Sequence, residues 1–355
     1  MLKVLFCGLK NEYGKPEAGP SFEYQNFYSA LERMEGVSAS FFGIDEQLLQ
    51  YGRDTMNELL IKHVQEQRPD ILFCFLFTEE LKKETIQYIT SCTKTKTFNW
   101  FADDHWRFHI FSKFWAKVFT AVGTTDSRSL ALYKQNGIRN VIHTQWAANP
   151  HLFFPRPFLQ NKDCFNITFV GQNYSVRQKY ITALEKAGLP VVAYGTGWPT
   201  GRIPKDQSGI IWSNSKINLN FTEGNYDSWK LYAKLLAKLL VKKELGKYKS
   251  NIHQFHNNFR SVMSSRRAQI KSRNFEIPAC GGFLLTGDAD NLLDYYEPGK
   301  EMVIFYGMND LVEKCKYYLE HEELRNRIAK AGYERTMRDH TYDQRFRHIF
   351  SFLGF

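Results

Sequence analysis

The sequence lacks the features that would place it in a membrane, in a secreted disulfide scaffold or at a structural zinc site. No apolar run approaches the ~20 residues that a membrane-spanning helix needs. The N-terminal apolar run stops at Gly8, which is too short for a signal peptide and typical of a first β-strand. The six cysteines are scattered and form no CxxC pair, so we expect free thiols in a reducing cytoplasm.

Acidic residues are nearly absent from one segment, residues 230–273. It holds eight lysines and four arginines against one acid, Glu244, and its charge of +11 exceeds the +10 of the whole chain. Lysines at every fourth position beside leucines predict an amphipathic basic helix, on Lys230, Lys234, Lys238 and Lys242. Three interpretations stay open: binding to an anionic membrane surface, binding to nucleic acid, or a solvated face over leucines packed on the protein.

Apolar strand patterns alternate with helix patterns in both halves of the 355-residue chain. In the first half the predicted strands are 2–7, 38–43, 70–76, 97–102, 118–122 and 140–145, with helices at 21–34, 55–67, 79–91, 108–117 and 127–136. This alternation predicts a parallel sheet covered by helices on both faces. The length favours two such domains.

A proline-containing stretch without usable periodicity, residues 149–163, predicts a linker. We therefore expect an N-terminal domain over 1–155 and a C-terminal domain over 160–339, the latter with a basic helical insertion at about 225–270. The last helix, 340–355, is expected to pack back on the first domain. The fold class is α/β, two doubly wound Rossmann-like domains facing a central cleft, with ligands at the carboxyl ends of the strands.

The segment 271–287 predicts a short helix, a glycine break and a buried strand. Lys271 and Arg273 stand just ahead of Glu276. Cationic side chains at a helix start favour a phosphate, and a nearby carboxylate accepts hydrogen bonds from sugar hydroxyls. A nucleoside diphosphate-sugar offers both groups, whereas the alternative is an ordinary solvated helix.

Two glycine-containing turns follow strands of the second domain. Gly171, in the turn that leads to Arg177, allows close approach of the backbone to an anion. The run Ala193–Trp198 ends the next strand with glycines and an aromatic residue, a surface on which a base could lie. An ordinary tight βα turn is the alternative for each.

Three polar residues follow a buried strand of the first domain: Asp103, Asp104 and His105. An acceptor hydroxyl loses a proton as it attacks, and an Asp or His within hydrogen-bonding reach can take it. We expect one Asp to cap the following helix and the other to face the substrate. Glu23 and Tyr24, after the first strand, are candidate acceptor contacts, with a surface helix start as the alternative.

Together these segments resemble GT-B-fold glycosyltransferases of the group 1, CgeB-like (spore maturation protein) family. The residues that carry the resemblance are RNFEIPACGGFLLT (273–286), EPGKEMVIF (297–305) with the tail that follows it, FVGQNYSVRQ, SKINLNFT (215–222) and NWFADDHWRF. They extend over both domains and most of the chain.

The resemblance implies a glycosyltransferase (EC 2.4) that needs no metal and no cofactor beyond its nucleoside diphosphate-sugar donor. The donor-side residues that it implies are Gly171, Arg177, Tyr194, Gly195, Lys271, Arg273, Asn274 and Glu276. The retaining pattern of this group has a second Glu eight residues before the position of Glu276. Ala268 stands there instead, so retention and inversion both stay open.

Two classes of function follow from these observations. The first is a cytoplasmic transferase, with peripheral contact at the inner membrane face left open, that acts on a glycan, a glycolipid or another hydroxyl acceptor in polysaccharide biosynthesis. The second is a nucleic-acid-directed protein, a DNA-base glycosyltransferase or a non-catalytic DNA or RNA binder that uses segment 230–273. The aromatic-basic modules usual in nucleic-acid binding are missing, which favours the first class.

Overall fold

Two compact units make up the chain in the computed structural model. The structure describes residues 1–156, 165–173, 175–224, 241–244, 247–250, 255–264 and 267–355. The first unit comprises Met1–Gln145 and Tyr342–Phe355, and the second comprises Trp146–Thr341. The C-terminal segment therefore belongs to the same unit as the N-terminus.

The strands are short and mostly apolar, as expected for strands buried on both faces of a sheet. They are β1 (Leu2–Gly8), β2 (Val37–Gly43), β3 (Ile71–Cys74), β4 (Lys96–Phe101), β5 (Ala121–Thr124), β6 (Val141–His143), β7 (Phe165–Val170), β8 (Val192–Tyr194), β9 (Ser215–Asn220), β10 (Val241–Glu244), β11 (Lys247–Ser250), β12 (Leu284–Gly287) and β13 (Val303–Phe305).

Helices separate the strands of each sheet. They are α1 (Ser29–Arg33), α2 (Ile44–Gln67), α3 (Lys83–Cys92), α4 (Asp104–Arg107), α5 (Lys113–Trp115), α6 (Ser129–Gln135), α7 (Ser175–Lys186), α8 (Lys205–Ser213), α9 (Phe255–Ser264), α10 (Arg273–Ala279), α11 (Gly307–Glu320), α12 (Glu322–Asp339) and α13 (Tyr342–Leu353). None of the helices in the described parts of the chain is long and apolar enough to cross a membrane.

The first unit is built on a six-stranded sheet in the order β2-β1-β3-β4-β5-β6, and every neighbouring pair is parallel. The chain leaves β1 toward β2 on one side and returns to β3 on the other. Such a reversal of strand order is a topological switch point, where ligands bind at the carboxyl ends of open α/β sheets. In this unit the switch point lies between β1 and β3.

Helix α13 completes the core of the first unit. The ring of Tyr342 lies 4.8 Å from that of Phe27, and the ring of Phe346 lies 5.6 Å from that of Phe73, measured between centroids. All four residues are fully buried. Burying a large aromatic side chain contributes about 1.5–3 kcal/mol, so this contact anchors the C-terminal helix.

Several predicted helices of the first unit differ from the structure. The predicted helix 21–34 contains a π-helical turn, Tyr24–Tyr28, before α1, and a second π-helical turn, Phe108–Ser112, interrupts the predicted helix 108–117. Helix α2 begins eleven residues earlier than predicted and breaks at Gly52, whose φ is +75°. Packing of individual aromatic residues selects such local geometry, and hydrophobic periodicity does not report it.

The second unit repeats the architecture with a five-stranded sheet in the order β13-β12-β9-β7-β8. Its neighbouring strands are also parallel. The order reverses between β7 and β9, which is the switch point of this unit. The sheet packs against helices through a core that includes Phe169, Leu219 and Leu285.

The basic segment is not one continuous helix. Strands β10 and β11 form an antiparallel pair over Val241–Ser250, so Lys242 lies in a strand, and α9 follows at Phe255. The prediction of a helix through Lys242 is wrong there, because a β-branched valine and cross-strand pairing favour an extended chain. Lys230, Lys234 and Lys238 lie outside the described residues.

Candidate functional site

The candidate donor site lies at the switch point of the second unit, where the turn after β7 meets the end of β9. The backbone N–H of Gly171 donates to the carbonyl of Tyr194 at 2.8 Å. Gly195 has φ +135°, and a Cβ there would overlap the carbonyl oxygen of Gly171. Only glycine therefore allows the turns after β7 and β8 to approach so closely.

Two aromatic residues support the Gly171 turn. The indole N–H of Trp198 donates to the carbonyl oxygen of Gly171 at 2.8 Å. The ring of Phe169 lies beneath the turn, because a Cβ on Gly171 would stand 2.8 Å from its Cζ atom. The turn is thus held from two sides.

Two arginine side chains converge on this turn. The guanidinium carbons of Arg177 and Arg273 lie 5.4 and 5.7 Å from the centre of the Phe169 ring. A Cβ on Gly171 would stand 3.1 Å from Nη1 of Arg273 and 3.4 Å from Nη1 of Arg177. Like charges brought together in a partly buried site repel each other, and an anion between them relieves that repulsion.

Hydrogen bonds hold both arginines in place. Nη1 of Arg177 donates to the carbonyl of Gln172 at 2.8 Å, and Nε of Arg273 donates to Oδ1 of Asn220 at 3.0 Å. Arg177 is only 6% exposed. A fixed guanidinium loses little conformational freedom when it binds an anion, which favours recognition of phosphate.

Asn274 supports this arrangement from below. Its Oδ1 accepts from Nδ2 of Asn220 at 2.9 Å and from the backbone N–H of Lys271 at 3.0 Å. Its Nδ2 donates to Oγ1 of Thr286 at 3.1 Å. Asn274 is fully buried, so its described contacts are with the protein and orient Asn220, which in turn orients Arg273.

The structure brings together most of the predicted donor-side residues. Gly171, Tyr194, Gly195, Arg177 and Arg273 meet at the carboxyl ends of β7 and β8, and Lys271, Asn274 and Glu276 lie around the start of α10. Glu276 is 4% exposed, and Lys271 and Tyr194 are half-buried. Whether each contacts a ligand stays a prediction.

Two residues of this site were missed from the sequence. They are Phe169 and Asn220, which contact the Gly171 turn or Arg273. The signal for Asn220 was a polar residue at the end of an apolar strand pattern, where side chains reach the ligand edge of a parallel sheet. Phe169 carries no such signal, because a buried aromatic residue in a strand usually belongs to the core.

In the first unit, the candidate carboxylates have different surroundings. Asp103 is half-buried at the N-terminus of α4, where its carbonyl oxygen accepts from the backbone N–H of Arg107 at 2.9 Å. Its side chain makes no capping hydrogen bond. The expectation that one of the two aspartates caps the helix through its side chain is therefore not met by Asp103.

Asp104 lies in the core of the first unit. It is 1% exposed, and its Oδ2 accepts from the hydroxyl of Tyr133 at 2.7 Å. Burial raises the pKa of Asp104 to about 6, while the hydrogen bond from Tyr133 acts in the opposite direction. A catalytic role for Asp104 stays a prediction, and its described hydrogen bond lies within the first unit.

The remaining candidates of the first unit are partly exposed. The Tyr24 ring stacks on Tyr28 at 5.3 Å and meets the edge of Phe41 at 4.9 Å, so much of it packs against the protein. Its backbone N–H donates to Oγ of Ser21 at 3.0 Å. Glu23 and His105 are half-buried, and their roles stay predictions.

Comparisons of the sequence with known proteins point to one group. A family model described as "Glycosyl transferase-like" matches residues 243–351. The spore protein CgeB of Bacillus subtilis (strain 168) is 22% identical over 236 residues. That match covers 64% of this chain and 66% of the length of the Bacillus protein.

Comparisons with solved structures extend over nearly the whole chain. A sucrose-phosphate synthase from Thermosynechococcus elongatus has a TM-score of 0.60 at 11% identity and covers 99% of this chain and 100% of its own. HepE of Anabaena, solved in complex with UDP, has a TM-score of 0.56 at 11% identity and covers 99% of both chains. At such identities the likeness shows the fold. The chain therefore has the GT-B fold, and its sequence is similar to the group 1, CgeB-like glycosyltransferases.

Proposed function

We propose that this chain transfers a sugar from a nucleoside diphosphate-sugar to a hydroxyl group of a glycan or glycolipid. The second unit would bind the donor, and the first unit would bind the acceptor. The observation that carries the proposal is the convergence of Arg177 and Arg273 on the Gly171 turn.

The arginine pair suits a diphosphate for two reasons. Two guanidinium groups match two adjacent phosphates in charge and in their planar arrays of hydrogen-bond donors. Gly171 also has no side chain, so a phosphate can approach the backbone of this turn closely. HepE, solved in complex with UDP, is a structural neighbour with the same fold, which supports a uridine or related nucleotide as the first ligand to test.

The reaction forms a bond between the acceptor oxygen and the anomeric carbon while the bond from that carbon to the diphosphate oxygen breaks. The nucleoside diphosphate leaves with the electron pair, and Arg177 and Arg273 would stabilise its negative charge. We therefore expect transfer to proceed without an added divalent metal. The acceptor proton would go to a base, for which half-buried Asp103 and His105 are the candidates.

Isothermal titration calorimetry with UDP and GDP tests the donor site. We expect wild type to bind at least one of them and Arg273→Gln to weaken that affinity by about 10- to 100-fold, the loss of a charge-assisted hydrogen bond. Arg202→Gln is the matched control, because Arg202 is an exposed arginine of the same unit. Absence of binding to wild type, or equal affinities of wild type and Arg273→Gln, would contradict the proposal.

A further inference from the structure

Exposed and half-buried aromatic side chains lie at the switch point of the first unit. Tyr13 lies in the loop after β1, and Phe77 lies in the loop after β3, so they flank the two strands between which the strand order reverses. Trp106 and Arg107 lie beyond the end of β4, the next strand of the sheet. These four residues are called the aromatic platform below.

The loop after β1 is built to hold Tyr13 outward. Both carboxylate oxygens of Asp45 accept backbone N–H groups, from Lys10 at 2.7 Å and from Asn11 at 3.0 Å. Backbone pairing of Asn11 with Pro20 closes the loop. Within it Tyr13 adopts the left-handed conformation, with φ 54° and ψ 24°, which is unfavourable for a residue with a Cβ and is concentrated at functional sites.

The loop after β3 is held equally firmly. The Glu80 carboxylate accepts the backbone N–H of Thr78 at 2.7 Å and its hydroxyl at 2.8 Å. Nη2 of Arg107 donates to the carbonyl of Phe77 at 2.7 Å. The position of Phe77 is therefore fixed from both sides of its loop.

Two residues of the platform are exposed, and the other two, Trp106 and Arg107, are half-buried. Tyr13 is 65% exposed and Phe77 is 40% exposed, with ring centroids 5.8 Å apart at an interplanar angle of 62°. The guanidinium carbon of Arg107 lies 5.6 Å from the Trp106 ring and 6.0 Å from the Phe77 ring. Large aromatic rings held in water by a strained backbone and a buried carboxylate indicate a binding surface.

We propose that the aromatic platform binds a neutral saccharide, the acceptor of the transferred sugar. The C–H face of a pyranose ring is apolar and flat enough to lie on an aromatic ring, while its hydroxyls need donors and acceptors at the edge. Arg107 supplies donors, and Asp103, whose charge acts on Arg107, supplies an acceptor carboxylate. This proposal rests on the proposed transferase function and adds the chemical class of its acceptor.

The charge of the surrounding loops argues against a polyanionic ligand. Loops 9–20, 75–82 and 102–107 carry four basic and six acidic residues. Nucleic acids and multiply phosphorylated acceptors require an excess of Lys and Arg to neutralise their phosphates. The balance of charge around the platform therefore favours a neutral sugar, although the chain as a whole is basic.

Saturation-transfer NMR with maltose, cellobiose and lactose, at concentrations up to about 50 mM, tests the platform on the full chain. We expect at least one of these neutral disaccharides to receive saturation from wild type. Tyr13→Ala should weaken its affinity by about 5- to 10-fold, as expected for loss of one ring face, whereas Tyr13→Phe should retain it. Tyr88→Ala is the matched control, because Tyr88 is 39% exposed on the body of α3.

Each outcome separates the two proposals. UDP affinity is measured by calorimetry on the same samples. If UDP binds but none of the disaccharides does, or if Tyr13→Ala binds as tightly as wild type, the saccharide platform is overturned and the donor proposal stands. If Tyr13→Ala instead loses affinity for a single-stranded DNA oligonucleotide, the platform is a nucleic-acid surface. Failure of wild type to bind either UDP or GDP in the calorimetry of the donor site would contradict the transferase proposal itself.

Discussion

Replacement of Asp104 by Asn separates a packing role for this carboxyl group from a catalytic one. Asp104 is 1% exposed and accepts a 2.7 Å hydrogen bond from Tyr133. An Asn side chain keeps an acceptor for that hydroxyl and carries no charge. The variant therefore removes ionisation while leaving the shape of the core nearly unchanged.

The size of the effect follows from the pKa of Asp104. Burial raises it to about 6 in the folded protein, whereas an unfolded chain has an Asp pKa of about 4. Between pH 4 and 6 the folded state binds this proton more tightly, so stability from this group is present below pH 4 and is lost as pH rises through 6. By pH 7 this effect lowers the free energy of unfolding of wild type by about 3 kcal/mol. The Asn variant shows no such decrease, because it has no carboxyl group at this position.

Urea unfolding at pH 4.5, 6.0 and 7.5 measures the free energy of unfolding of wild type and of Asp104→Asn. Unfolding is followed by tryptophan fluorescence and circular dichroism. We expect the stability of the variant relative to wild type to increase by about 2–3 kcal/mol from pH 4.5 to 7.5. Asp103→Asn is the matched control, since it makes the same substitution at the half-buried neighbouring position. A stability difference for Asp104→Asn that stays constant with pH would refute the reasoning, because the carboxyl group would then titrate alike in both states.

Two further predictions concern transfer. Asp103→Asn should lower turnover by about 10²–10⁴ while Asp104→Asn retains most of it, because the half-buried residue is the candidate base; near-normal turnover in both variants would remove the carboxylates from catalysis. Glu276→Ala should weaken binding of UDP by roughly 1–3 kcal/mol in calorimetry, the usual loss for a charged hydrogen-bond partner. Glu276 is 4% exposed, so Glu276→Gln, which keeps the size of the side chain, serves as a folding control. Unchanged UDP affinity in both variants would place this residue outside the donor site.

Several elements were predictable because their signals are local. Strands β1, β3 and β4 coincide closely with apolar runs, and β-structure buried on both faces requires such runs. The glycine turn at Gly171 was recognisable from its place between a strand and a helix. The family resemblance added the donor-side residues, which the structure gathers around the ends of β7, β8 and β9 and the start of α10.

Other features depend on contacts between distant residues. The basic segment was read as a helix from its lysine spacing, but pairing of β10 with β11 overrides that spacing at Lys242. The two π-helical turns lie where aromatic side chains pack, and such packing has no periodic signature. Asp103 and Asp104 are neighbours in the sequence, yet only one of them turns into the core.

The sequence by itself determined the fold class, because apolar periodicity and glycine position are properties of short segments, and its family resemblance indicated the kind of chemistry. Only the tertiary structure decided which loops meet, because strand order is set by long-range pairing. Arg273 and Asn220 are 53 residues apart and touch through a 3.0 Å hydrogen bond. Tyr13 and Phe77 likewise meet only because β1 and β3 are adjacent at the point where the strand order reverses.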